Sequence, residues 1–351
     1  MRNFNYSKYK NLTWDGEILS LVAGIHEYKG QQKMYLSQKP AALEKLIEIA
    51  RVQSIESSNA IEGIQTKANR LKQLVEEKTT PRNRDEEEIA GYRYVLNEIH
   101  ESHEYIPITS NYILQLHKDL YRFSNKSFGG HYKNGQNNIV ATDSNGEEVI
   151  LFTPLDAFET PDAIKMICEE YNKVILEQSV DALLTIPIFI HDFLCIHPFN
   201  DGNGRISRLL TTLLLYRSGY VIGRYVSLEK KIAEDKYLYY DALRTSQGGW
   251  HEETDDPGPF IKYMLRTIIA AYKDFEERML VVDAGNATAL EKVRAAVSMK
   301  MGVFTKSEMM ILCPGLGKSS IENSLTTLVS EGYITRHGKG KATYYVRADV
   351  E

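Results

Sequence analysis

The strongest constraint on folding lies between residues 182 and 214, where an apolar run, a loop holding two glycines and a second apolar run follow without a gap. Ala182 to Ile196 contains His191 and Asp192 and is shorter than the ~20 apolar residues that a helix needs to cross a bilayer. It therefore predicts a core helix, and no membrane association is expected. Beyond the loop, Leu209, Leu210, Leu213 and Leu214 form the apolar side of another helix.

Around this centre the chain reads as mainly α. Leu43, Leu46, Ile47 and Ala50 give a helical stripe that runs without a strong breaker to Gly63. Asp85 offers a cap for a helix whose apolar face is Ile89, Tyr92, Leu96 and Ile99, and the run Glu86, Glu87, Glu88 reads as a solvated first turn. Asn137 to Ala141 and Glu148 to Phe152 flank the turn residues Asp143, Ser144, Asn145 and Gly146, which predicts a β-hairpin. Thr160 as cap and Pro161 as first helical residue open the next helix. Further helices are expected over 185–196, 205–218, 228–247 and 259–280.

Composition changes after Asp283, Ala284 and Gly285. Residues 287–351 hold nine Lys and Arg against six Asp and Glu, a net of +3 in a chain whose total is -5. Helices at 288–297, 306–312 and 319–331, followed by strands at 333–335 and 342–346, resemble a winged helix-turn-helix. The expected division is an N-terminal helical region over 1–100, a core over 101–285 and this small domain over 286–351. The net negative charge argues against wholesale coating of nucleic acid or anionic membrane. Cys168, Cys195 and Cys313 have no metal or disulfide spacing, and no apolar leader precedes Trp14, so a reducing, cytoplasmic setting is expected.

The chemistry concentrates in residues 197–208, His-Pro-Phe-Asn-Asp-Gly-Asn-Gly-Arg-Ile-Ser-Arg. Gly202 and Gly204 let backbone N–H groups approach an anion at the start of a helix. Arg205 and Arg208 stand in its first turns, where cations are disfavoured by the dipole, which suggests an anionic ligand that offsets the cost. Asp201 supplies a hard oxygen suited to Mg²⁺ beside phosphates, and His197 can accept a proton from a hydroxyl. Base, metal ligand and phosphate cradle together suggest transfer from a nucleotide.

This run resembles, at every fixed position, the His-x-Phe-x-Asp/Glu-Gly-Asn-Gly-Arg-x-x-Arg signature of the Fic family. The resemblance implies a Fic-type helical bundle with a hairpin flap, and a protein adenylyltransferase that moves AMP from ATP to a side-chain hydroxyl of a target protein. It implies that His197 is the general base, Asp201 the Mg²⁺ ligand, and Gly202, Asn203, Gly204 and Arg205 the phosphate-binding elements, with Arg208 on the γ-phosphate. The hairpin from Asn137 to Phe152 would hold the target's Ser, Thr or Tyr segment by strand addition. Tyr239, Tyr240 and Gln247 would line the adenine site, although a well-known branch of the family has Asn where Gln247 stands.

Upstream, Ser58, Asn59, Ala60, Ile61, Glu62 and Gly63 resemble the Ser/Thr-x-x-x-Glu-Gly/Asn autoinhibitory motif of the same family. By that resemblance Glu62 pairs with Arg208 in cis and spoils the pose of ATP. The alternatives are removal of AMP from a modified protein by the same site, and a winged-helix transcription regulator that senses nucleotide. For the last domain, Arg336, His337, Lys339, Lys341 and Arg347 could touch DNA phosphates, but the third helix has only Lys318 nearby and carries Glu322 and Glu331, so protein docking is the stronger expectation. A homo-oligomer is compatible with the sequence.

Overall fold

The computed structural model describes all residues except 1, 39, 125, 143–145, 147, 284–286, 299, 301 and 349–351. The expected turn residues Asp143, Ser144 and Asn145 and the linker residues Ala284 and Gly285 therefore lie outside the described residues, as does the side chain of Lys341. The chain forms two compact units, one of residues 1–26, 52–223 and 227–269, the other of residues 27–51, 224–226 and 270–351. Among the described residues, no helix is long and apolar enough to cross a membrane.

In chain order the first helices are α1 (Gly16–Gln38), α2 (Pro40–Ile61), α3 (Ala68–Val75), α4 (Arg84–Ser102) and α5 (Ser110–Leu120). The hairpin strands β1 (Ile139–Thr142) and β2 (Glu148–Phe152) follow, then α6 (Thr160–Glu177), α7 (Ala182–Ile196), α8 (Asn203–Arg217), α9 (Leu228–Glu234), α10 (Lys236–Gln247) and α11 (Gly258–Asp283). α7 is the axis of the first unit, packed by α6, α8 and α10. Every residue from Leu183 to Ile196 is buried, which is why its hydrophobicity shows no polar face. Asp181 caps it by accepting from the Leu183 N–H, so the helix begins three residues before the expected Thr185.

Other boundaries also moved for identifiable reasons. Asn83, not Asp85, caps α4, its side chain accepting from the Glu86 N–H at 3.0 Å. Glu159 occupies the cap position of α6, and Thr160 turns its hydroxyl to the Asp156 carbonyl instead. The stretch expected as one helix over 228–247 is two, broken at Asp235. β1 and β2 pair antiparallel with a register shift between Ile139 and Val140.

α4 crosses α5 so closely that a Cβ on Gly91 would fall inside the van der Waals radius of the Leu120 carbonyl oxygen. In an exposed helix Gly→Ala would stabilise by about 1 kcal/mol. Here the sign should reverse: Gly91→Ala is expected to destabilise by about 3 kcal/mol, because backbone must move to admit the methyl group. A urea melt in which Gly91→Ala matches or exceeds wild type would contradict this crossing.

In the second unit α12 (Ala289–Ser298), β3 (Val303–Phe304), α13 (Lys306–Leu312), α14 (Lys318–Ser330), β4 (Ile334–His337) and β5 (Tyr344–Arg347) surround a core of Val293, Val297, Phe304, Met309, Leu325 and Leu328. β5 is the central strand, antiparallel to both β3 and β4. A capping box of Thr305 and Glu308 starts α13. The two-residue β3 was not expected, being too short to leave a pattern in sequence.

Candidate active site

α7 ends at His197, whose backbone is left-handed (φ 51°, ψ 62°), an uncommon conformation for a residue with a Cβ. The turn that follows is closed by Asn203, which is buried and makes a reciprocal pair with Phe199: its Oδ1 accepts from the Phe199 N–H at 2.9 Å and its amide donates to the Phe199 carbonyl at 2.7 Å. Gly202 has φ 85°, and a Cβ there would lie 2.9 Å from the Tyr121 hydroxyl. α8 then starts at Asn203, with its first N–H groups facing the turn.

His197 Nδ1 lies 3.4 Å from the Leu194 carbonyl, a geometry in which Nδ1 carries the proton and Nε2 is the free base. Burial pushes the imidazole down to about 4, with nearby Lys133 adding to the shift and the Leu194 carbonyl opposing it. The ring is neutral at neutral pH. A second buried imidazole, His117, stacks on Phe199 with centroids 3.7 Å apart and is likewise held down to about 4 by burial. Its Nε2 meets the Asp201 carbonyl at 3.1 Å and its Nδ1 accepts from the Gly130 N–H at 3.0 Å. His117 braces the turn from below.

Arg205 is 1% exposed and paired within the chain: Nη1 is 2.6 Å from Glu88, and Nη2 is 2.9 Å from the Tyr121 hydroxyl and 3.4 Å from Asp201. Glu88, also 1% exposed, receives Lys126 at 2.9 Å and Arg84 at 2.8 Å as well. Burial works against its charge, but Lys126, Arg205 and Arg84 together hold its carboxyl below the usual range. The reading of the acidic run as a solvated face is thus corrected for Glu86 and Glu88, both buried, Glu86 on Arg70 at 2.6 Å. Arg205 therefore already has one anion partner inside the chain, Glu88. Glu88→Ala should cost about 3–5 kcal/mol, because it leaves a buried guanidinium underpaired. A thermal melt within a degree of wild type would refute this.

Arg208 is 3% exposed and also engaged. Its Nε donates to the Ser58 hydroxyl at 2.8 Å, and its Nη2 donates to the Ser58 carbonyl at 2.9 Å and to Glu62 Oε1 at 2.8 Å. α2 stops at Ile61, Gly63 turns the chain with φ 78°, and Lys236 donates to the Ile61 carbonyl at 2.6 Å. A Cβ on Gly204 would collide with Glu62 Oε1, so the missing side chain is what lets that carboxylate reach the start of α8. The structure thus brings Ser58 and Glu62 to the same helix terminus as Gly204 and Arg208, although 150 and 146 residues separate them from Arg208 in sequence.

Asp201, with 38% of its side chain exposed, has Lys126 at 3.0 Å on Oδ2 and Arg205 on Oδ1. Burial raises its carboxyl, but Lys126 and Arg205 outweigh burial and hold it low. Among the described residues, no group of three or more His, Cys, Asp or Glu could hold a metal. Tyr239 is core, edge-on to Phe260 and Tyr263, whereas Tyr240 is 42% exposed. Gln247 is buried, with its side chain beside the Cys195 thiol. Lys126, Lys133 and Glu88 were missed by sequence reasoning. Only Glu88 left a signal, standing at i, i+4, i+7 and i+11 with Tyr92, Val95 and Ile99 on the buried stripe.

Residues 107–215 match the Fic/DOC family. Over 236 residues, 64% of this chain and 48% of the relative, the sequence is 25% identical to a protein named protein adenylyltransferase Fic from Nematostella vectensis. It is 26% identical over 141 residues to a Fido domain-containing protein of Dictyostelium discoideum, covering 39% of this chain and 94% of that one. The chain spans about half the length of the Nematostella relative. A solved Fic family protein from Desulfovibrio desulfuricans G20 superposes with a TM-score of 0.61 at 20% identity, over 97% of this chain and 98% of the other. A Fic domain-containing signalling protein from Bacteroides thetaiotaomicron gives 0.56 at 22% identity, over 74% and 95%. These likenesses give the chain a Fic-type fold and locate its match to the Fic/DOC family at residues 107–215.

Proposed function

We propose that this chain is a protein adenylyltransferase that moves AMP from ATP onto a side-chain hydroxyl of a target protein and is restrained in cis by Glu62. The observation that carries the reading is Arg208, a buried guanidinium at a phosphate-ready helix terminus whose one carboxylate partner among the described residues is the Glu62 side chain. In the reaction, His197 Nε2 takes the proton of the target hydroxyl. The hydroxyl oxygen attacks the α-phosphorus, its bond to the bridging oxygen breaks, and pyrophosphate leaves with the electron pair. N–H groups at the start of α8 and the Arg208 guanidinium hold the phosphates, while Arg205, fixed by Glu88, holds the turn.

Asp201 would offer Mg²⁺ a single hard oxygen at a part-exposed edge, with the metal taking the place of the Lys126 ammonium on Oδ2 and the phosphates and water completing the shell. The metal would neutralise phosphate charge. Gln247, buried beside the Cys195 thiol, would meet a ring nitrogen of adenine, and Tyr240 would meet its face. The exposed hairpin would receive the target segment. Residues 286–351 read best as a winged-helix docking module, since Lys306 of α13 is paired with Glu322 of α14 and Lys318 is the one cation within α14.

The test is incubation with ATP labelled at the α-phosphate, Mg²⁺ and lysate. Label on protein with release of pyrophosphate is expected, whereas no label from this ATP but label from a parallel reaction with γ-labelled ATP would indicate a kinase instead. Asp201→Ala should lose both activity and the response to Mg²⁺. If a Mg²⁺ titration of Asp201→Ala overlays that of wild type, Asp201 is not the ligand.

A further inference from the structure

The end of α7 leaves carbonyls without helical partners, and every one from Cys195 to Phe199 is claimed by the base of the β1–β2 hairpin. The Leu155 N–H donates to Cys195 at 3.3 Å, and the Lys133 ammonium to Ile196 at 3.0 Å. The Asn137 amide donates to His197 at 3.1 Å and to Phe199 at 2.8 Å, and the Lys133 N–H to Pro198 at 2.8 Å. Lys133 also donates to Asn137 Oδ1 at 2.9 Å, joining the two donors into one unit. Both stalks of the hairpin, 133–137 and 155, are therefore bonded to the five residues centred on His197.

Lys133 is 3% exposed, and both acceptors of its ammonium are uncharged. Burial pushes it down to about 8. A buried charge without a carboxylate in contact is costly, and so is a left-handed His197, a conformation that persists only where the surroundings over-determine it. The two costs meet in the same bonds. At its other end the hairpin exposes Val140, Val149, Ile150 and Leu151.

We infer that Lys133 and Asn137 are positioning residues that fasten the His197 loop to the hairpin, so that the strand receiving the target and the base that deprotonates its hydroxyl move as one body. This rests on the transferase reading above, and it accounts for a buried lysine whose ammonium bonds only to neutral acceptors, with Asp156 acting on it through space alone. Neither residue touches the reacting atoms. Their role is to fix the distance between docking edge and imidazole, a distance on which rate depends steeply, since about 1 Å of misplacement can cost roughly 100-fold.

The experiment compares Lys133→Met, Asn137→Ala and Lys133→Arg, each in a Glu62→Gly background. Three quantities are read: kcat on protein, ATP affinity, and the NMR titration of the His197 imidazole. For Lys133→Met and Asn137→Ala the expected result is a fall in kcat of about 10- to 100-fold with ATP affinity within about twofold. The His197 titration should also move up from about 4. Lys133→Arg, which keeps a charged donor, should restore most of both. Unchanged kcat and an unchanged titration in both variants would overturn the inference. So would a loss that tracks melting temperature alone and is not rescued by arginine. If the parent transfers no AMP yet the titration still moves in the variants and recovers with arginine, the clamp stands and the transferase reading falls.

Discussion

Replacing His197 by alanine should lower transfer by about 10² to 10⁴-fold while ATP affinity changes little, because a positioned base acts in the transition state and hardly in the ground state. The left-handed backbone calls for a control. His197→Asn keeps a side chain that tolerates this conformation but supplies no imidazole, so it should be as inactive as alanine and fold at least as well. The pH profile gives an independent reading. With the imidazole near 4, the acid limb of kcat should lie well below the 6.5 of a free histidine. Between 6.5 and 4 the unfolded chain binds protons at this position and at His117 that the folded chain refuses, so stability is complete above pH 6.5 and falls as pH falls toward 4. Rates measured below pH 5 must therefore be corrected for the folded fraction. An active His197→Asn protein, or an acid limb near 6.5, would rule out the buried imidazole as the base.

The contrast between residues that could be read and residues that could not has a physical origin. His197, Asp201, Gly202, Gly204, Arg205 and Arg208 lie within one turn and the start of one helix, so local chain geometry alone brings them together. Glu62 was legible only through its spacing from Ser58 and Gly63, and nothing local foretells its 2.8 Å approach to Arg208. Glu88 shows the opposite failure. Charge in a first turn normally faces water, and that rule outweighed the apolar positions on either side of it, yet the pocket around Arg205 needs an anion and α4 supplies it. Lys133 left no trace, because its partners are a backbone carbonyl, which every sequence has, and the neutral amide of Asn137, which no charge pattern marks. α5 could have been found: Thr109 caps it, accepting from the Tyr112 N–H, and Ile113, Leu116 and Leu120 make its stripe. α1 could not, since glycines and charged residues interrupt its apolar positions.

Glu62→Gly should raise transfer onto protein, including the chain itself, by roughly 10- to 100-fold, the scale of one or two charge-assisted hydrogen bonds regained by the phosphate. The argument is one of competition for a single guanidinium. Arg208 donates to Ser58 and Glu62 at once, and with its side chain 3% exposed it has no room to turn toward solvent and serve a second anion. Removing the carboxylate leaves Nη2 one bond short at the place where the third phosphate would arrive, while the two bonds to Ser58 keep the guanidinium aimed. Arg208→Ala combined with Glu62→Gly should therefore be inactive, because the freed arginine, and not the vacated volume, makes the new contact. Glu62→Gln separates charge from shape: an amide retains the size of the side chain but gives up the ion pair, so it should recover only part of the gain. Should the site instead remove AMP from a modified protein, with Glu62 aligning the attacking water, that hydrolysis would vanish in Glu62→Gly. A Glu62→Gly protein that labels no protein beyond the wild-type level, and a double variant that is still active, would each show that Arg208 is not the group being withheld.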